Sequence, residues 1–498
     1  MKKVINNIFN FFSRLSKKTK ITILVVTLLI LGVTVLYQTF ATSSTISGDS
    51  TNGYTVTLDN SGTVSIPASG SKTVFFKVKN TNNATVKYGV GYSGSNITVK
   101  EYSDSDNPSA GTISKGESKF VKLHITNSGT SASTATITTI LGYENGGNLI
   151  VPSGYTLVTS IYTVPVNLVT HITKLYTSAS KSTVTNNSIT YNYATSVSLM
   201  NDRLGSMSTG IDAGNIRYYG ASPNNYIYFN CDDYSNQTSD TCELWRIIGV
   251  FNGKVKIMRN ENIGDYSWDN KGTSSGAEDN NGKNNWSDAR LMKMLNAGYE
   301  SETGGSLYWN RLNGTCYSGA TADTTKTCDM SGVGLKNDTT RNMISEMTYS
   351  LLGWNTSSIY SDQIYNYERT TGSVYNETTR DKSWTGKVAL PYPSDYGYAA
   401  DLSQCSQTLY DYDNSTCKSN DWMFNLFLNQ WLLTPDSDNS YGAWYVSSGG
   451  FVNTTYAANT YGAGSECGVR PVLFLSSELR IKAGDGDGSS SAPYQLSA

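Results

Sequence analysis

WRIIGVFNGKVKIMRN, Trp245 to Asn260, is the stretch on which the fold of this 498-residue chain turns. Two alternating runs flank Asn252-Gly253, the dipeptide best able to take positive φ at both central positions of a type I′ turn, so the stretch predicts a β-hairpin. Two amphipathic segments follow it. In WSDARLMKMLN, Ser287 is placed to cap a helix whose stripe is Leu291, Met294 and Leu295. In NDTTRNMISEMTYSLLG a helix is expected from Asn337 or Asp338, with Met343, Ile344, Met347 and Leu351 inward and Gly353 closing it. An apolar stretch, Asp421 to Ser440, then leads into short strands at AWYVSSGGFVN and GVRPVLFLS. A hairpin, short strands and helices together predict an α+β domain over residues 199–482, with 483–498 as a flexible tail.

Upstream the texture changes. From Gly53 to about Asn167 the chain alternates with period two, as in TVFFKVK (Thr73–Lys79), KFVKLHIT (Lys119–Thr126) and TATITTILGY (Thr134–Tyr143), with Gly-, Ser- and Asn-rich turns between. Seven to nine short strands predict a β-sandwich, residues 41–169, in a chain that is mainly β. ISKGESKFVKLHITNSG resembles the penultimate strands of immunoglobulin-like domains of bacterial surface proteins, which makes the expected sandwich immunoglobulin-like. His124 alternates with Val121 and Leu123 and reads as an outward strand residue. The Ser/Thr/Asn-rich residues 170–198 read as a linker or first extended strand.

The N-terminus gives direction. Residues 1–48 hold Lys2, Lys3, Arg14, Lys17, Lys18 and Lys20 and no acid, which leaves the remainder at −8 against a total of −2. ITILVVTLLILGVTVLY, Ile21 to Tyr37, spans roughly 25 Å as a helix, the short end of a membrane crossing, and Gln38-Thr39-Phe40 complete it at the interface. The basic flank predicts a cytoplasmic segment 1–20, a single-pass transmembrane signal-anchor 21–40, and an extracellular remainder. A cleaved secretory signal ending near Ala41 is the competing reading, and it exports the rest equally.

Cysteine usage agrees with export. All seven Cys follow residue 230, and six form local couples: Cys231 and Cys242, Cys316 and Cys328, Cys405 and Cys417. None has a His or a C-x-x-C spacing nearby, so short loop-closing disulfides are expected rather than zinc. Cys467 falls outside the couples, as a buried thiol.

WLLTPDSDNSYGAWYVSSGGFVNTTY, GVRPVLFL, NIRYYGASPNNYIYFNC and CELWRIIGV resemble segments of poorly characterised Firmicute-type surface proteins. Their last domain is similar to the C-type-lectin-like fold shared with formylglycine-generating domains. The resemblance covers about residues 199–480 and implies that fold, with little about activity. Calcium-dependent lectins carry Glu-Pro-Asn or Gln-Pro-Asp and Trp-Asn-Asp. Here Thr434-Pro435-Asp436 and Asn420-Asp421-Trp422 echo them only in part, so no cofactor is expected and calcium is the one candidate. Asp485-Gly486-Asp487-Gly488 begins like a calcium loop, but Leu496 stands where the twelfth position needs Glu. Formylglycine-generating chemistry needs a reactive Cys pair, and Cys467 stands alone.

Composition narrows the function. Charged residues are only 16% and there are two His, His124 and His171, which argues against a basic nucleic-acid binder, a His-based metalloenzyme and a Ser-His-Asp hydrolase. No convergent titratable cluster is legible, so the chain is not expected to be an enzyme. Tyr (35) far outnumbers Phe (13), a composition suited to contact surfaces. The expected function is a membrane-anchored surface protein presenting a lectin-like domain to an extracellular ligand, a glycan, peptide or protein. A structural protein of the cell envelope is the alternative. The binding face is expected at 434–466, on Asp436, Asp438, Asn439, Tyr441, Asn453, Tyr456, Asn459 and Tyr461, with Trp444 and Val446 inward as core.

Overall fold

The computed structural model describes residues 38–41, 46–49, 53–56, 62–80, 85–141, 149, 151–162, 165–203, 214–456, 467–482 and 486–497. The chain is mainly β, 38% strand and 15% helix, and it divides into two compact units at Val164/Pro165. Among the described residues no helix is long and apolar enough to cross a membrane, and the basic segment and the apolar run to Tyr37 lie outside them. Gln38, Thr39 and Phe40, expected to finish the membrane segment, belong instead to a strand, Gln38–Ala41, paired parallel to Ser71–Lys79.

The first unit has two five-stranded sheets sharing one core. Period-two sequence alternation becomes alternating burial: Val74, Phe76 and Val78 in Ser71–Lys79, and Val121, Leu123 and Ile125 in Ser118–Asn127, face the core. The facing register sets Val74 opposite Leu123 and Phe76 opposite Val121. His124 lies half-buried on the other face, stacked on Tyr162 with ring centroids 3.6 Å apart.

The second unit is built on a ten-stranded sheet. At its centre is the expected hairpin: Glu243–Phe251 and Lys254–Arg259, joined through Asn252 (φ 49°) and Gly253 (φ 72°). A register shift between Ile247 and Gly249 lets Gly249 pass so close to the neighbouring strand that a Cβ there would lie 2.2 Å from the Ile216 carbonyl. Val472–Leu475 pairs with the free side of Lys254–Arg259, so the Gly468–Ser476 stretch extends the sheet from far along the chain, and Ile344–Ser345 and Val388–Ala389 pair beyond it. A second, five-stranded sheet carries Gln430–Pro435, Gly442–Val446 and Val452–Tyr456. Trp245, Trp268, Trp286, Trp431 and Trp444 are all buried, and Trp444 donates from Nε1 to the Trp354 carbonyl at 3.1 Å. The large aromatics substitute for scarce aliphatic volume.

Four local expectations differ from the structure. The segment 337–353 is helical only over Asp338–Asn342, capped by Asn337, and its apolar remainder forms the strands Ile344–Ser345 and Met347–Ser350, because sheet pairing wins over a short helical stripe. The helix after Trp286 begins at Arg290, and Ser287 makes no cap. Its hydroxyl bonds Asn285 and Asp381. Residues 170–198, read as a linker, form part of helix Leu168–Ser178 and the hairpin Ser182–Asn186/Ile189–Ala194 at the edge of the large sheet. Residues 486–497, read as a flexible tail, are bound in: Tyr226 and Tyr228 pair with Gly488 and Tyr494, and Leu496 is fully buried.

Candidate functional site

Lys254–Arg259 is paired with strands along both edges, and the side chains on both of its faces are buried. Val255 and Ile257 take one face; Lys256 and Met258 take the other, and all four are buried. A lysine held there needs a counter-charge. It comes from the five-residue helix Pro393–Gly397, whose Asp395 meets Lys256 Nζ, accepts from Arg217 Nη1 at 3.1 Å and accepts from the Tyr392 amide at 2.9 Å. Arg217 also donates from Nε to Asp202 at 2.6 Å. Burial works to raise the Asp395 pKa, but the ammonium and guanidinium beside it outweigh burial and hold it below the usual carboxylate range. Burial pushes Lys256 down to about 8 against the pull of Asp395.

A second ion pair stands next to this one. Helix Ser361–Asn366 continues into a π-helical turn, Tyr367–Thr371, a local widening frequent at functional sites. The turn sends consecutive residues in opposite directions. Glu368 is fully buried and accepts from the Ser394 amide at 2.9 Å and from the Ser394 hydroxyl. Arg369 remains 26% exposed, stacked on Tyr392 with its guanidinium carbon 3.7 Å from the ring centroid. Burial raises Glu368 to about 7, with Arg369 and Ser394 resisting.

Lys256, Arg369 and Tyr392 line one cleft of about 560 Å³, within the roughly 300–1,000 Å³ of small-molecule sites. Phe251, Tyr349, Tyr365 and Phe474 give it aromatic walls, and Asn215, Thr348, Asn366 and Thr370 give it polar groups. Among the described residues lining it there are two cations and no acid. Two lining side chains carry buried polar atoms without a hydrogen bond, the Tyr349 hydroxyl and Arg369 Nη1. Sequence reading missed this cluster because its members are spread from Asp202 to Asp395. The available signal was a charge inside an otherwise apolar strand: Arg217 in NIRYY and Lys256 in KVKIM.

The residues expected to bind at 434–466 are placed as follows. Asp436 is buried and its Oδ1 accepts from the Asp438 amide at 2.8 Å; Asp438 Oδ2 accepts from Asn355 Nδ2 at 2.7 Å. Asn439 Oδ1 accepts from the amides of Tyr441 and Gly442, while the Asp436, Asn439 and Gly442 carbonyls converge on Asn284 Nδ2. These polar groups close a turn. Burial raises the Asp436 pKa, with the Asp438 amide opposing it. Asn453 lies on Val452–Tyr456 and its Oδ1 accepts from the Thr454 amide at 2.8 Å. The Tyr456 side chain and all of Asn459 and Tyr461 lie outside the described residues. None of the described residues of 434–466 is among those lining the cleft.

Three disulfides join Cys231 to Cys242, Cys316 to Cys328 and Cys405 to Cys417, all in the second unit, and Cys467 is buried outside them. Among the described residues no group of three or more His, Cys, Asp or Glu is placed to hold a metal ion. Comparison with protein-family models, curated proteins and solved structures returns no match.

Proposed function

We propose that this chain is a surface protein held by its N-terminal apolar segment, with an immunoglobulin-like first unit as stalk and a lectin-like second unit that binds an extracellular ligand in the Lys256–Arg369 cleft. The cleft carries the proposal: it combines volume, aromatic walls and two cations with buried polar atoms left without partners. The three disulfides are consistent with an oxidising, extracellular setting. The charge network behind the cleft has the function of a rigid floor, fixing Lys256 and Tyr392 through Asp395.

The test is capture of glycans and peptides by the full-length protein, compared with a Thr348→Trp variant whose indole fills the cleft mouth. Thr348 is exposed on Met347–Ser350, so the fold tolerates the change. Ligand retained by the native protein and lost by the variant supports the proposal; equal capture by both overturns the cleft assignment. A structural role in the envelope is the second reading, favoured by Leu426 (58% exposed) and Phe427 (90% exposed), which offer an apolar point for self-association. Concentration-dependent assembly that Phe427→Ser abolishes, with no ligand captured, would favour it.

A further inference from the structure

We infer that the ligand of this cleft is an extended peptide segment that adds as a third strand to the outer edge of Met347–Ser350 and seats an apolar side chain against the aromatic wall; this rests on the ligand-binding reading above. Met347–Ser350 pairs with Ser383–Gly386 in a sheet of two strands, and all four of its residues line the cleft. Antiparallel partners alternate between pairs that exchange hydrogen bonds and pairs that do not. The Leu351 amide donates to the Lys382 carbonyl at 2.9 Å, which marks that pair as the exchanging kind. Counting back along the register, Tyr349 opposite Trp384 and Met347 opposite Gly386 also exchange. Thr348 opposite Thr385 and Ser350 opposite Ser383 turn their amides and carbonyls outward. The Thr348 and Thr385 hydroxyls, 2.9 Å apart, fit the closer side chains of a non-exchanging pair.

That outer edge faces the cleft. The Ser350 carbonyl accepts from the Tyr392 hydroxyl at 2.7 Å, and Tyr392 is one of the lining residues. Among the described residues no hydrogen bond reaches the Thr348 amide or carbonyl, or the Ser350 amide. The side chains around them are already engaged: Asn215 donates to Asp202 and Tyr365, Asn366 to Thr371, and Thr370 to Asn366. The cations are matched as well, Lys256 by Asp395 and Arg369 by Glu368. What the cleft still offers is a strand edge and an aromatic wall. A glycan has little to pair with there, whereas a peptide backbone supplies the alternating N–H and C=O groups that a strand edge takes. Alternation then sorts the peptide's side chains. Those on the exposed Thr348 side meet water, and those on the buried Tyr349 side meet Tyr349 and Phe474.

Calorimetry with the full-length protein in detergent and a series of capped pentapeptides, Thr-Thr-X-Thr-Thr with X as Phe, Tyr, Leu or Ala, tests this. The first three should bind, and the Ala peptide should bind at least about 10-fold more weakly for want of a buried side chain. An N-methyl group placed on each peptide amide in turn should weaken binding by about 2- to 10-fold at alternate positions only, since every second amide of an added strand points at its neighbour. Thr348→Pro removes an amide that the existing ladder leaves unused and should cost a similar factor. Thr385→Val, which breaks the same hydroxyl contact from outside the cleft, should not. Weakening without alternation, or equal binding to the native protein and Thr348→Pro, would overturn strand addition. Failure of the whole series at millimolar concentration would overturn the peptide class, and glycan capture that Thr348→Trp blocks would then leave the cleft reading standing.

Discussion

Asp395→Asn is the sharpest perturbation available, because one carboxylate serves three donors. Lys256 Nζ, Arg217 Nη1 and the Tyr392 amide all converge on it, in a place where its side chain is 0% exposed. Asparagine keeps one acceptor oxygen and loses the charge, leaving Arg217 with Asp202 and Lys256 without its carboxylate. Breaking a buried ion pair from one side costs about 3–5 kcal/mol. All nine Trp lie between Trp245 and Trp444, so tryptophan emission during urea unfolding reports on the second unit alone. At a slope of roughly 3 kcal/mol/M, the midpoint should fall by about 1–1.7 M. Because Asp395 titrates below the ordinary carboxylate range when folded, its contribution is complete above about pH 4 and is lost as pH falls through the depressed folded pKa. The gap between native protein and variant should therefore close only in acid. Adding Lys256→Met to the variant removes the stranded ammonium, and the double change should cost about 1–3 kcal/mol less than the sum of the singles. A midpoint shift under about 0.3 M, or strict additivity, would refute the network as described.

Other expectations follow from the same packing. Asp421 is 5% exposed, its Oδ2 has no hydrogen-bond partner, and burial raises its pKa to about 8, so the folded protein holds a proton that the unfolded chain releases near pH 4. Native stability should fall as pH rises from about 4 to 8, and Asp421→Asn, which keeps the acceptor for the Met423 amide, should flatten that fall by about 1.4 kcal/mol per pH unit at most. An unchanged pH profile in urea melts would contradict the buried-acid assignment. Leu496→Ala should destabilise the second unit by about 2–5 kcal/mol, since the side chain is fully buried; a neutral result would mean the C-terminal strand is dispensable. Trp444→Ala should cost about 3–5 kcal/mol by the same emission assay. Non-reducing peptide mapping should recover the three local Cys pairs, and any long-range pairing would contradict them.

Much of the fold was legible because it is encoded locally. Asn252-Gly253 dictates its turn whatever surrounds it. Alternation in Thr73–Lys79 and Lys119–Thr126 translates directly into one buried and one outward face. The pairing of Cys231, Cys316 and Cys405 with their near neighbours follows from short loop closure. What escaped is what depends on distant partners. Ile344 and Met347 look helical until Val472–Leu475 and Ser383–Gly386 offer strands to pair with. Residues 486–497 look like a Gly/Ser tail until Tyr226 and Gln237 bond to them. The cleft escaped for the same reason, since Lys256 acquires meaning only beside Asp395 and Arg369. The turn around Asp436–Asn439 is a third case: a run of Asp, Asn and Ser suits a binding loop and an Asx turn equally, and Asn284, far off in the chain, bonds the turn.

Topology on intact cells tests the central claim most directly, because an exported ligand-binding unit is meaningless inside the cell. Protease added outside should digest residues beyond 41 and spare the basic segment 1–20, with the Cys231–Cys242, Cys316–Cys328 and Cys405–Cys417 bridges recovered intact from the released fragments. Protection of residues 199–482 in intact cells, with those cysteines reduced, would contradict the account.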